Sequence, residues 1–327
     1  MTVSSARPGP RPRTPAPAPG PTAPGAPSYH RLSGLTPVLT VRCAPPRRGD
    51  GWLPAADLAT RPEAVRELIA HDARQGLARY GQPLRPDVAA GFGLHRFVWP
   101  VSLLFTLPWF LERRVPLPAL GDVALRRRPE GVELTVRPVG FACLPDDPAA
   151  GPAAGPLVGS AAGSADGSAV GSAAGSAVGP GQARTVADER ALAAALRSAL
   201  GAFLAPVLTA FGPEARRGPR VLWAMATDAV VEGLWYAAGL LGEQERARTE
   251  LSALLAPGEP LAPAHPPGAG TRPAPAPAPF TPGAGFAPPA PGDGGAPGTE
   301  RSRASCCLVY TADPREMCAG CPRVTRR

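Results

Sequence analysis

Four of the six cysteines in this chain fall within sixteen residues, at Cys306, Cys307, Cys318 and Cys321, in the pattern Cys-Cys-x10-Cys-x2-Cys. A Cys-x2-Cys pair lets two thiolates converge on one metal across a tight turn, and Ala319-Gly320 is small enough to permit that turn. Adjacent cysteines behave differently. Neighbouring side chains tend to point apart, which is awkward for closing one tetrahedral zinc but workable for a cluster that offers separated iron positions. Four thiolates are what an all-cysteine [2Fe-2S] cluster needs. Structural zinc on the same four sulfurs is the competing chemistry.

No second catalytic constellation accompanies these thiols. Cys43 and Cys143 stand alone and read as small buried hydrophobes. His30, His71, His95 and His265 are far apart, so a histidine metal site is not expected. His71 reads as a solvent-side helix residue, whereas His95, beside Arg96, is placed to touch an anionic ligand. Gly91-Phe92-Gly93 lacks the third glycine of a dinucleotide fingerprint, and the chain has no Walker loop.

The cysteine spacing, with Arg303 ahead of it, Tyr310 inside it and Pro322 directly after it, resembles the C-terminal signature of the FhuF family of ferric-siderophore reductases. The resemblance covers about twenty residues at the end of the chain and implies a [2Fe-2S] cluster held by Cys306, Cys307, Cys318 and Cys321. It also implies one-electron reduction of a ferric siderophore, with an electron donor that the sequence does not identify. Where the family usually has a basic residue after the tyrosine, this chain has Thr311.

The remaining residues must hold and position that tail. Proline and glycine, 46 and 38 of 327 residues, concentrate in three stretches. Residues 1–28 have almost no large apolar side chains and read as a disordered tail. Residues 144–183 contain five Gly-Ser-Ala tetrapeptides from Gly159 to Val178 and read as a flexible insertion. Residues 256–299 read as a Pro/Gly/Ala-rich linker of polyproline-like coil. What is left suits one folded body, 29–143 joined to 184–255, with residues 300–327 as the cluster-binding tail. Such a tail has too little apolar material to build a core without metal.

Within the body, alternation of Leu39, Val41 and Cys43 predicts a strand near 36–43, and Thr60 with Glu63 predicts a capping box opening a helix to about Gly81. The apolar run Phe97 to Leu111 reads as a buried helix broken by its prolines, and Val123 to Val136 as a hairpin around Pro129-Glu130-Gly131. After the insertion the period becomes 3.6. Leu192, Leu196, Leu200, Phe203, Val207 and Phe211 form one stripe of a helix that Thr185 and Asp188 can cap and Pro206 should kink. A further helix or helix pair spans about Val221 to Leu255, with Trp223, Trp235 and Tyr236 packing into the core and a chelate cleft expected along it. The fold class is α+β, mainly α, with a small antiparallel β part.

Formal charge is +8, carried by arginine without a single lysine, and the arginines are scattered. They are not striped with aromatic residues, so no nucleic-acid partner is expected. Around the cysteines, Arg301, Arg303, Arg315, Arg323, Arg326 and Arg327 face Glu300, Asp313 and Glu316, and that positive surplus favours the more anionic reduced cluster. The first residues lack the apolar core expected of a signal peptide, and the Phe97 to Leu111 run reads as too short and interrupted for a transmembrane segment. A cytoplasmic location is expected, with peripheral contact to a membrane left open. In a reducing compartment clustered cysteines favour metal over disulfide. The reading is an iron-sulfur ferric-siderophore reductase. A non-enzymatic zinc-binding module and a [2Fe-2S] electron carrier or redox sensor are the alternatives.

Overall fold

The computed structural model describes residues 25–129, 131–150, 181–256, 278–281, 284–286, 301–315, 318, 321 and 323. The Gly-Ser-Ala repeats and residues 1–24 of the expected N-terminal tail lie outside them. The chain opens with α1 (Ala26–Leu35), β1 (Leu39–Cys43), β2 (Trp52–Pro54), α2 (Ala55–Thr60), α3 (Pro62–Tyr80) and α4 (Pro86–Glu112). Strands β3 (Arg114–Pro116), β4 (Val123–Arg128), β5 (Gly131–Val136), β6 (Phe141–Cys143) and β7 (Ala183–Thr185) follow. Helices α5 (Glu189–Ala215), α6 (Pro219–Leu241) and α7 (Gln244–Leu255) complete the body, and β8 (Gly285–Phe286) pairs antiparallel with β9 (Arg301–Ser302).

Helix α4 is the centre of the core. Its apolar residues run round the whole helix, Phe97, Leu104, Phe105, Leu107 and Phe110 are buried, and it packs on α3, α5 and α6. Such a helix needs protein on every side. By length and composition α4 and α5 could each cross a membrane, but 78% of the α4 window and 50% of the α5 window are covered by the rest of the body.

The prolines do not break α4, contrary to the sequence reading; Pro100 and Pro108 lie inside one continuous helix. A proline at 108 cannot donate to the carbonyl four residues back. Tyr29 makes up the loss: its hydroxyl donates to the Leu104 carbonyl at 2.6 Å. Tyr29 lies on α1, so the last residues of the expected disordered tail belong to the body. Ser28 is buried, and its backbone N–H and hydroxyl both donate to Glu112.

The hairpin forms as read, β4 against β5, in a sheet of order β1-β5-β4-β2. That sheet is mixed and not purely antiparallel, because β1 runs parallel to β5. A second sheet, β3-β6-β7, also contains a parallel pair. Gly131 opens β5 where a Cβ would stand 2.3 Å from the Val38 carbonyl oxygen, so no side chain fits there. The capping box does not form. Thr60 ends α2 and donates its hydroxyl to the Ala56 carbonyl, and Arg61 is the N-cap of α3. Leu77, expected on the apolar stripe of α3, is exposed.

At α5 the expected stripe is buried, and Asp188 caps the helix by accepting from the Ala191 N–H at 2.7 Å. Thr185 instead belongs to β7. Trp223 and Trp235 pack partly buried against the core. The expected linker of 256–299 is attached midway. Ala278 is buried with its N–H on the Arg197 carbonyl, Phe280 lies under the Arg197 guanidinium, and Phe286 packs 4.8 Å from the Trp235 ring.

Candidate iron-sulfur centre

Helix α6 is the platform for the tail. Asp228 and Glu232 are four residues apart, hence on one helical face, and Gly233 brings that helix close to α4. A Cβ on Gly233 would lie 3.0 Å from the Trp99 carbonyl oxygen. Asp228, only 3% exposed, accepts three hydrogen bonds from the segment directly before the cysteines. They come from the Ala304 N–H, the Ser305 N–H and the Ser305 hydroxyl, at 2.9, 2.9 and 2.5 Å. Burial raises the Asp228 pKa, and those bonds with the Arg303 charge oppose the rise.

One turn on, Glu232 receives Arg301 at 2.9 Å and Arg303 at 2.7 Å, with His95 Nε2 at 3.5 Å. Burial pushes its pKa up, but the neighbouring His95 and the two arginines outweigh burial and hold it at about 2. An apolar strap finishes the docking. Ala312 packs on Leu84, Val88 and Ala89, and the Gln82 amide donates to the Ala312 carbonyl.

The thiols sit at the end of this docked segment. Cys307 and Cys318 are in contact, Sγ to Sγ 3.5 Å, and the Cys321 N–H donates to the Cys318 carbonyl at 3.1 Å in a tight Cys-x2-Cys turn. Cys321 is buried, while Cys306 is half-buried. The hydrogen bond shared with Cys318 holds the Cys307 pKa at about 7 against burial, helped by the Val309 N–H and Arg303. The same bond pushes Cys318 well above the ordinary thiol range, and burial adds to it. Arg303 also donates to the Cys318 sulfur.

Two thiolates on one tetrahedral metal with bonds of about 2.3 Å stand about 3.8 Å apart, so the Cys307–Cys318 contact fits a shared metal position. The N–H groups of Val309 and Arg303 are the donors such sulfurs need. Among the described residues no three His, Cys, Asp or Glu side chains are gathered as a finished metal site. The fold thus brings Cys307 and Cys318 together, while Cys306 and Cys321 adjoin them in sequence and are not gathered with them. Cys143 is buried in β6 as expected, but Cys43 is exposed, a correction to its reading as a buried hydrophobe.

Cys307 and Cys318 open into a cleft of about 570 Å³. Helix α6 lines one side through Met225, Asp228 and Glu232, while α3 and α4 supply Tyr80, Phe92, His95 and Arg96. Of the Val221 to Leu255 stretch only α6 lines this cleft; α3 and α4 form its other wall, and α7 supplies none of its lining residues. His95 lines it and faces Glu232. Of the expected arginines, Arg301 and Arg303 are nearly buried in ion pairs, Arg315 pairs with Asp313, and Arg323 lies over the Tyr310 ring with a 2.7 Å bond to its hydroxyl. Arg326, Arg327, Glu300 and Glu316 lie outside the described residues. Sequence reasoning missed Asp228 and Glu232. Their spacing on an otherwise apolar helix was the available signal.

The chain thus combines a helical body with a docked tail that carries four clustered cysteines. Residues 303–323 match the FhuF 2Fe-2S C-terminal domain. With the clustered cysteines, that match supports a [2Fe-2S] cluster as the cofactor. No curated protein and no solved structure matches the chain significantly.

Proposed function

We propose that this protein is a ferric-siderophore reductase of the cytoplasm, holding its cluster through Cys306, Cys307, Cys318 and Cys321. The observation that carries the reading is the opening of Cys307 and Cys318 into a substrate-sized cleft. When bound, the [2Fe-2S] cluster supplies one electron at a time. The body's residues do the rest. Asp228 and Glu232 fix the tail against α6, and Arg303 bridges Glu232 to the Cys318 sulfur. His95, Arg96 and Phe92 line the space where the ferric chelate is held next to the thiols.

Siderophores grip ferric iron through hard oxygen donors and ferrous iron far more weakly, so a single electron added to the substrate's iron loosens it. No nucleophile or general base is required.

Anaerobically purified protein is expected to be red-brown, with equal iron and sulfide and visible charge-transfer bands. Colourless protein with stoichiometric zinc and no sulfide would overturn the reading in favour of a zinc module. Reduced protein mixed with ferric chelates and a ferrous trap should be re-oxidised as ferrous iron appears. Re-oxidation by no chelate would leave an electron carrier or sensor. The variant Cys318→Ser should lose the visible spectrum and the sulfide together.

A further inference from the structure

An electron loosens the iron of a ferric chelate but does not finish its release. Hydroxamate and catecholate oxygens hold iron as anions, so an oxygen that lets go must take up a proton or recapture the metal. A proton donor beside the chelate would complete the step, and the cleft at Cys307 and Cys318 contains one.

Most groups around this cleft cannot supply a proton near neutral pH. Arg79 on α3, Arg96 on α4 and Arg303 and Arg315 on the tail keep theirs, as do Arg127 and Arg128 of β4 in the adjoining cleft. On α6, the Asp228 oxygens are taken up by Ala304 and Ser305. Burial would raise Glu232, yet His95, Arg301 and Arg303 hold it at about 2, so it is ionised. Tyr80 is a phenol, and phenols keep their proton to about pH 10. His95 is left, and histidine is the side chain that exchanges its proton between about pH 5 and 8.

The fold also fixes where this ring stands. His95 Nε2 is buried 3.5 Å from the Glu232 carboxylate, an ion pair whenever the ring is protonated. Glu232 is itself clamped by Arg301 and Arg303 of the segment that leads to the cysteines. The His95 side chain keeps 29% of its exposure and lines both clefts. With Nε2 turned to Glu232, Nδ1 is the nitrogen left for the open space.

We propose that His95 is the general acid of iron release, giving the proton on Nδ1 to a donor oxygen of the chelate as its iron becomes ferrous. The inference rests on the reductase reading, because it takes the occupant of the cleft to be a ferric chelate. The iron receives one electron from the reduced cluster, and one iron–oxygen bond breaks with its electron pair staying on oxygen. That oxygen takes the imidazolium proton, and solvent recharges the neutral ring. The remaining oxygens take their protons from water.

Reduced, cluster-loaded protein is mixed anaerobically with a ferrous trap and either a ferric trihydroxamate or a ferric tris-catecholate. Ferrous iron is followed between about pH 5.5 and about pH 8. The wild-type rate should fall as pH rises, because the acid form of the ring is lost. His95→Gln keeps an amide beside Glu232 but has no proton to give. Its ferrous iron should appear about tenfold more slowly or worse at the acid end, with a flatter pH profile. The gallium(III) complex of the same chelate has the charge and shape of the ferric one and accepts no electron. Calorimetric titration should find its affinity for wild type and variant within about twofold, since His95 acts in release and not in holding.

Equal rates or parallel pH profiles for wild type and a folded His95→Gln overturn the proposal. So does a variant whose gallium affinity falls in step with its rate, which would make His95 a binding residue. If the variant does not load its cluster, a wild-type rate that fails to fall with rising pH overturns the proposal alone. Wild type that releases no ferrous iron from either chelate sinks the reductase reading and the acid with it. Release by wild type and variant alike sinks the acid and leaves the reductase.

Discussion

Asp228 shows how one buried carboxylate can govern a tail that has almost no apolar surface of its own. Its oxygens accept three bonds from residues 304 and 305, one or two positions before the first thiol. In Asp228→Asn an amide N–H₂ must face a donor, and a buried charge-assisted set is lost. Docking should weaken by about 2–3 kcal/mol. Hydrogen exchange over residues 301–315 should accelerate while α4 stays protected, and unchanged exchange would assign the docking to the Ala312 strap alone. Arg303 acts through charge. It contacts both Glu232 and the Cys318 sulfur, so Arg303→Gln removes a cation beside the thiolates and leaves Glu232 less neutralised. A loss of about 1 kcal/mol of favourable interaction lowers a one-electron potential by about 40 mV. Spectroelectrochemistry of the loaded protein would register the fall, and a rise would contradict the assignment.

At the scale of elements, α4 and α6 matter most, since they approach closely at the site. Gly233 allows this, with the Trp99 carbonyl and the Ser102 hydroxyl where a side chain would go. Gly233→Val should force the helices apart, lowering stability by about 1–3 kcal/mol in a denaturant titration. Because Glu232 is the adjacent residue, it should also loosen Arg301 and Arg303. Continuity of α4 through Pro108 was not foreseeable from its own residues. The acceptor freed by the proline is satisfied by Tyr29, 75 residues away in sequence on a helix that composition hid inside a proline-rich tail. Likewise Thr60 and Glu63 carry the right spacing for a capping box, yet a short helix ends at Thr60 and takes its hydroxyl.

For the molecule as a whole, the β sheet has a weak point toward acid. Glu133 is raised by burial, yet the bonds from Arg126, Arg42 and Arg128 prevail and bring its pKa to about 2. Its folded pKa lies below the unfolded value of about 4.3, so the stability it contributes is complete above that value. It is lost as pH falls toward 2. Wild-type stability should therefore drop between about pH 4.5 and pH 2 by more than that of Glu133→Gln, as urea titrations at stepped pH would show. The linker has a whole-molecule role as well. Ala278, Phe280 and Phe286 tie it to α5 and α6, so the path to the cysteines is anchored and is not one uninterrupted coil.

The four-cysteine tail, the helical stripe of α5 and the β4–β5 hairpin are legible in the amino-acid order alone. Each is a local pattern, because cysteine spacing, a 3.6 period and a Pro-Glu-Gly turn act over a few residues. The match of residues 303–323 to a 2Fe-2S domain accords with the first of these. Which groups answer the tail is set by the packing of the folded chain. Asp228 and Glu232 lie more than seventy residues before the thiols. Their roles depend on burial that makes unpaired charges costly, and burial is a property of the packed chain that no local spacing encodes.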